Sequence, residues 1–427
     1  MSFSRKTAIA ATLAASLALV GCTAGGEGES QDNVTIRFLG SQPNELIDPV
    51  VKKYNDANPG TTVVYESVPF ESFSAVIAQR VGGDTGDVDV FYADAPRNPS
   101  IINAGYALDL TGELGDFEGT WAESSIETAT VDGKIYTAPM RTSTQVLYYN
   151  VDLLAAAGVD LPSIDPAERI TWEELKAAAA KAQDAGAKWG YLDDQVSRYY
   201  QFQPLPESLG GGSGLSGDEN LEGDLLNPKF IEATEYWQSL YSEGLAPKGV
   251  DPDQTKPIFQ SGQAAFMPGG PWWMPVFAED SELNVGIAAY PRFEDGEAVT
   301  PTDSEHLAVS ANTKHPDEAI DFVKWITLTE EGALAMSDGL AVPTANLEAQ
   351  PIQLAGLEEL SAGYAGFRAL AEFEMQNTAV ARPASVGYVQ FEDVMGKALE
   401  DIRNGSNVTD RLGQANEQLM SAFSRLR

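Results

Sequence analysis

One cysteine and two histidines are all that this 427-residue chain offers a soft metal ion, and that scarcity excludes several readings at once. A lone cysteine, Cys22, leaves no partner for an intrachain disulfide. His306 and His315 lie nine apart without a cysteine between them, which is not the pattern of a zinc site. Positive charge is also in short supply: 27 basic residues face 63 acidic ones, for a formal net charge of −36. A surface of that sign repels phosphate backbones, so nucleic acid is excluded as a natural partner. The acid is spread along the chain and not gathered in a tail, so a solvated surface accounts for it. Beyond the first twenty residues no apolar run is long enough to span a bilayer, and no internal repeat is apparent. There is no G-x-S-x-G elbow. Asp84, Asp87, Asp89 and Asp94 lack the glycine and distal glutamate of a calcium loop. Gly210–Gly214 lacks the Lys-Ser/Thr that follows a phosphate loop. Paired carboxylates arise by chance among 63 acids, so their presence says nothing about glycoside hydrolysis. No catalytic residue, metal or cofactor is expected.

What the chain does contain begins with a leader. Arg5 and Lys6 form a basic start, Ala8 to Val20 an apolar segment, and Leu19-Val20-Gly21-Cys22 follows at its end. Those four residues resemble a bacterial lipobox, in which the cysteine is lipidated and the peptide is cut before it. Residues 1–22 therefore read as a lipoprotein signal peptide and lipobox with a mature chain starting at Cys22. The ordinary signal peptide with an incidental cysteine is the alternative. Residues 23–33, rich in Gly, Ser and acid, read as a flexible tether.

The rest is long enough for two lobes, and 43% hydrophobic residues can fill their cores. Val34 to Leu39, Thr62 to Ser67 and Val88 to Phe91 read as strands. Between them Leu46, Ile47, Val50, Val51 and Tyr54 share one helix face, and Phe73, Val76, Ile77 and Val81 another. That alternation predicts a parallel α/β sheet. Lys134–Thr137 and Thr144–Asn150 read as strands, with Thr142 and Ser143 in the loop between. Thr171 and Glu174 form a capping box, Asn227-Pro228 opens a helix, and the chain closes on two amphipathic helices.

The most informative stretch is Phe259 to Met274, FQSGQAAFMPGGPWWM. Gly262 suits a left-handed helix cap, Ala264–Met267 a buried strand, and Pro268-Gly269-Gly270-Pro271 a sharp turn in which two glycines accept unusual backbone angles. Trp272 and Trp273 then stand at a strand's carboxyl end, where open α/β sheets bind ligands. An indole face packs on the C–H face of a sugar while its N–H meets a hydroxyl. The alternative is that both are core residues beside a turn.

Several segments together resemble the extracellular solute-binding proteins of bacterial ABC importers, in the maltose-binding-protein-like family. They are the lipobox, ITWEELKAAAAKA at 170–182, YWQSLYSEGLA at 236–246, FQSGQAAFMPGGPWW at 259–273, HPDEAIDFVKWIT at 315–327, GLAVPT at 339–344 and VMGKALEDIRNG at 394–405. The resemblance implies a two-lobed periplasmic-binding-protein fold (type II), each lobe an α/β sheet flanked by helices. Residues 34–145 and 306–342 would form the N-terminal lobe, 146–305 and 343–427 the C-terminal lobe, joined by a hinge that closes on ligand. It also implies ligand contacts from loops at strand carboxyl ends. The matching positions are Gln42, Phe70, Glu71, Asp94, Thr142, Ser143, Gly269, Gly270, Trp272, Trp273 and Arg382, with Tyr199 in a second aromatic cluster beside Tyr200 and Phe202. Carboxylates and arginines recognise hydroxyls and aromatics supply stacking.

The function expected is the extracytoplasmic substrate-binding component of an ABC importer, not an enzyme. It would be held to the outer face of the cytoplasmic membrane by its lipid anchor alone, would be monomeric, and would deliver a neutral di- or oligosaccharide to the permease subunits. Arg97, Arg141 and Arg382 leave a polyol or glycerophosphodiester open as ligand. A secreted glycosidase lipoprotein is the alternative from another class.

Overall fold

A computed structural model describes residues 33–83, 86–338 and 340–426. Cys22 and the rest of the leader, Asp84 and the Glu71 side chain lie outside what it describes.

The first half-lobe follows the predicted alternation. Its elements are β1 (Val34–Gly40), α1 (Asn44–Ala57), β2 (Thr61–Ser67), α2 (Phe70–Arg80), β3 (Val90–Asp94) and α3 (Asn98–Asn103). Strand β1 pairs in parallel with β2 on one side and β3 on the other. Ile47, Val50, Val51 and Tyr54 of α1 are the buried face, spaced as an amphipathic helix requires.

The next two strands depart from expectation. Strand β4 runs Thr137–Thr144 and β5 runs Val146–Asn150, with only Gln145 between them. Thr142 and Ser143 are therefore strand residues and not loop residues. The signal was hidden because the partner of β4 lies some 160 residues on, where Ser143 pairs with Asp303 and Arg141 with Glu305. A buried arginine in a strand reads as a loop until its carboxylate is seen.

The second lobe is built from α4 (Trp172–Asp184), β6 (Trp189–Tyr191), α5 (Pro228–Ser242), α6 (Pro252–Gln260), β7 (Ala264–Gly269) and β8 (Val285–Ala288). Both halves of the Thr171/Glu174 capping box form, and Asn227 accepts the Lys229 N–H at the start of α5. Then β9 (Thr300–Val309) returns to the first sheet, followed by α7 (Pro316–Leu328), the short β10 (Ala379–Val380), α8 (Tyr388–Arg403) and α9 (Val408–Phe423).

Of the two large sheets among the described residues, one has the order β10-β9-β3-β1-β2 with β4 also on β9, and the other the order β8-β5-β7-β6. Neither is purely parallel: β9 runs antiparallel to β3 and β4, and β5 antiparallel to β7 and β8. The antiparallel strands are those entering from the opposite lobe, which arrive without a helical crossover to turn them round.

Each sheet has its own core. Phe38, Val90, Phe91 and Phe322 centre the N-terminal one. The second sheet is covered on both faces, by Trp172, Trp237, Phe391 and Met395 on one and by Tyr148, Phe259, Phe277 and Tyr364 on the other. The chain passes between the lobes at Gln145, along β9 and near Ala341–Val342, whose side chains belong to different cores.

Candidate functional site

A cleft of about 720 Å³ opens where the two lobes face one another. The N-terminal lobe supplies Gln42 after β1, Phe70 after β2, Asp94 at the end of β3, and Ser143 from β4. The C-terminal lobe supplies Tyr200, Lys256, Trp272, Trp273, Arg382 and Glu392. Gln42, Asp94, Trp272, Trp273 and Arg382 stand at or just past strand ends, which point them at the gap, whereas Ser143 lies within β4, Tyr200 on a short helix, Lys256 on α6 and Glu392 on α8.

The two tryptophans straddle that gap. Both are half-buried, with ring centroids 6.5 Å apart and planes at 75°. Trp272 packs against the N-terminal core and Trp273 against the C-terminal one. The Lys256 ammonium lies 5.3 Å over the Trp273 ring. Their support differs from the sequence reading. Strand β7 continues through Pro268 and Gly269, and Gly270 has the ordinary extended angles φ −88°, ψ 167°. Glycine is needed at 270 for space, since a Cβ there would stand 2.0 Å from the Trp272 ring. At 269 a Cβ would come within 3.3 Å of Asp194. Close approach, not unusual angles, demands glycine at 270 and leaves little room at 269.

Beneath the indoles lies Asp194, wholly buried just after β6. Trp272 Nε1 donates to its Oδ2 at 3.2 Å, and Trp273 Nε1 faces the same carboxyl short of full hydrogen-bond geometry. Burial pushes Asp194 up to about 7, against the opposing pull of the two indole N–H groups and the Arg198 charge. Its neighbour Asp193 accepts from Tyr191, Trp237 and Tyr241 and is likewise raised by burial.

The arginines are committed to acids. Arg382 binds Asp94 at 2.5 Å and also Asp303, and its guanidinium lies 5.2 Å over the Tyr200 ring. Arg97 binds Asp94 at 3.4 Å, Glu392, and Ser74 at 2.9 Å. Arg141 binds Glu305. Burial pushes Asp303 up to about 6, with Arg382 opposing it. Each cation that left a phosphodiester open thus already faces a carboxylate.

Of the predicted positions, Gln42, Phe70, Asp94, Ser143, Trp272, Trp273 and Arg382 line the cleft. Thr142 turns its N–H to the Pro343 carbonyl at 2.8 Å. Arg97 lines a neighbouring cavity, and Gly269 and Gly270 serve as supports. Tyr199 is a correction: it is fully buried in the C-terminal core, packed edge-on to Phe391 with its hydroxyl on the Ser213 carbonyl. The next residue, Tyr200, takes the cleft position and shares a hydrogen bond of 2.7 Å with Ser143, because neighbours on one helical turn face different ways. Sequence reasoning missed Asp194, Asp303, Glu305 and Glu392. Following the short apolar strand at Trp189–Tyr191 to its carboxyl end would have found Asp193-Asp194. Nothing local marks the other three.

Residues 40–333 match the family described as bacterial extracellular solute-binding protein. The maltodextrin-binding protein MdxE of Bacillus subtilis is 27% identical over 339 residues, covering 76% of this chain and 77% of that protein. The diacetylchitobiose binding protein DasA of Streptomyces coelicolor is 27% identical over 333 residues, covering 75% of each. In fold, the chain is similar to an ABC substrate-binding protein from Listeria monocytogenes solved in complex with cycloalternan. The TM-score is 0.81 at 21% identity, over 92% of this chain and all of that one.

Proposed function

This chain belongs to the bacterial extracellular solute-binding protein family, and from that premise we propose that it captures a neutral di- or oligosaccharide between its lobes and hands it to the permease of an ABC importer. The family is one of binding proteins located outside the cytoplasm. The observation that carries the carbohydrate assignment is the Trp272/Trp273 pair, half-exposed in the inter-lobe cleft and braced from below by Asp194. Two indole faces at 75° offer stacking surfaces to successive sugar rings. The Tyr200 and Ser143 hydroxyls and the Asp94 and Glu392 carboxylates surround them with hydroxyl partners. Pairing of Arg97, Arg141 and Arg382 with acids weighs against a phosphodiester. The sugar-binding relatives support the same reading.

Titration calorimetry on the soluble chain from residue 23 tests it, with maltose, maltotriose and diacetylchitobiose set against glycerophosphocholine and a peptide. Heat from at least one sugar, with the sugar recovered unchanged, is the expected result. Binding of the diester or the peptide alone would overturn it.

We further propose that Cys22 carries a diacylglycerol anchor and that the protein acts as a monomer. Mass spectrometry of the mature chain from membranes would show the lipid, and Cys22→Ser would release the protein into the medium.

A further inference from the structure

Beside the cleft lies a second cavity of about 420 Å³, between α2, α3 and the start of α8. Ser41, Phe70, Asp94 and Glu305 line both spaces, so the two share a wall. Phe70 is the main partition, its ring faced by Arg97 at 4.7 Å and by Arg198 of the other lobe at 5.0 Å.

The chemistry on the two sides of that wall differs. The cleft is rich in hydroxyls and carboxylates, whereas the annexe is walled by Phe73, Ile77, Ile101, Tyr106, Val386 and Val389. A sugar ring placed there would lay most of its hydroxyl surface against carbon, which is unfavourable. Carbon is what such a wall accepts. Polar groups reach it only in part: Ser74, Ser100, Arg97 and Gln390, with Asp94 and Glu305 at the shared wall. The Arg141 guanidinium, which lines the cleft, lies 5.5 Å over the Tyr92 ring on the other side of the wall. The far end of the annexe reaches the exposed residues Ala75, Ala78 and Ala104.

Resting on the carbohydrate reading above, we propose that the ligand is a glycoside whose alkyl or aryl group occupies this annexe while its sugar lies in the cleft. The cavity is within the size range of small-molecule sites, roughly 300–1,000 Å³, and its carbon walls select the substituent by burial.

Calorimetry with methyl, hexyl and p-nitrophenyl maltosides tests this. In the wild-type protein hexyl and p-nitrophenyl maltosides should bind tenfold or more tightly than the methyl compound, since each buried methylene contributes about fourfold. In the Ala78→Phe/Ala104→Phe double variant, both changes at exposed positions, that gain should vanish and methyl maltoside should bind as before. Equal affinities for methyl and hexyl maltoside in the wild type would overturn the proposal and leave the sugar reading standing. So would a hexyl gain that survives the double variant. If no maltoside binds, it is the sugar assignment that has failed for this sugar. Hexanol alone, followed by crystal soaking, then decides the annexe: density against Ile77 and Ile101 upholds an apolar site, and an empty annexe sinks it.

Discussion

Arg97, just past the end of β3 in the N-terminal lobe, donates a hydrogen bond to Glu392 on α8 of the C-terminal lobe, across 295 residues of chain. The same arginine lies 3.4 Å from Asp94, which is itself bound to Arg382 at 2.5 Å, and Arg382 also holds Glu392 at 3.5 Å. The lobes are therefore joined by alternating charges at one corner of the cleft. With side chains only 8–19% exposed, these pairs are poorly screened by solvent.

Removing Arg97 tests how much of the contact between the lobes depends on this corner. In Arg97→Met, Asp94 and Glu392 are left with Arg382 alone, and the surplus of negative charge favours separation. The open population should rise, and apparent affinity falls with the competent fraction. A tenfold loss of sugar affinity corresponds to about 1.4 kcal/mol of that bias. Small-angle scattering should show a larger radius of gyration without ligand that returns to the wild-type value with it. Unchanged dimensions and affinity would show that the ion pairs merely accompany closure.

The stacking role of the indoles is separable from their packing. Both are half-exposed, so Trp273→Ala should leave the protein folded while costing on the order of 2 kcal/mol of binding, roughly thirtyfold. Trp273→Phe should recover part of it, because a smaller ring keeps the face but loses area. Intrinsic fluorescence should shift on sugar binding in the wild type and less in either variant. A Trp273→Ala protein that binds as tightly as the wild type would remove the pair from the site.

Much of this architecture was legible in the chain because it is locally encoded. The α1 face, the Thr171/Glu174 capping box and the β1–α1–β2–α2–β3 alternation each need only residues within one or two turns. Trp272 and Trp273 were legible for another reason: aromatics after a strand have few other places to go. Long-range pairing was not legible. Arg141 in β4 makes sense only against Glu305, and Tyr199 and Tyr200 cannot be told apart until Phe391 is seen beside the first. Gly270 was read correctly as necessary but for the wrong cause, since its constraint is a ring two residues on and not its own backbone.

Asp194 gives the protein a dependence on pH whose sign can be worked out. Burial pushes it from its ordinary 3.8 up to about 7, so between those values the folded protein keeps a proton that the unfolded chain has released. Its contribution to stability is complete below about pH 4 and is lost as pH rises through 7. Asp303, pushed up to about 6, acts in the same direction over a narrower window. His306 opposes them: burial holds it neutral, down at about 3, so its contribution is present above 6.5 and is lost as pH falls. Asp194→Asn deletes one component and leaves the others. The stability of the wild type minus that of the variant should therefore fall by on the order of 3 kcal/mol from pH 4 to pH 8, measured by urea unfolding. A difference that stays flat would mean that Asp194 is ionised at ordinary acidity.

Gly270→Ala isolates the placement of Trp272 from its presence. The backbone at 270, φ −88° and ψ 167°, is open to alanine, and it suits a residue that precedes proline. The added methyl meets the Trp272 ring at 2.0 Å and nothing else so near, so the ring must leave its position over Asp194. Sugar affinity should then drop as far as it does in Trp272→Ala, with the melting temperature changed by only a few degrees. The double variant decides the cause. If the methyl acts solely by displacing the indole, Gly270→Ala will have no further effect on affinity once Trp272 is alanine, whereas independent effects would add. Additive losses would mean that the turn itself touches the ligand, and that the glycine serves the site directly.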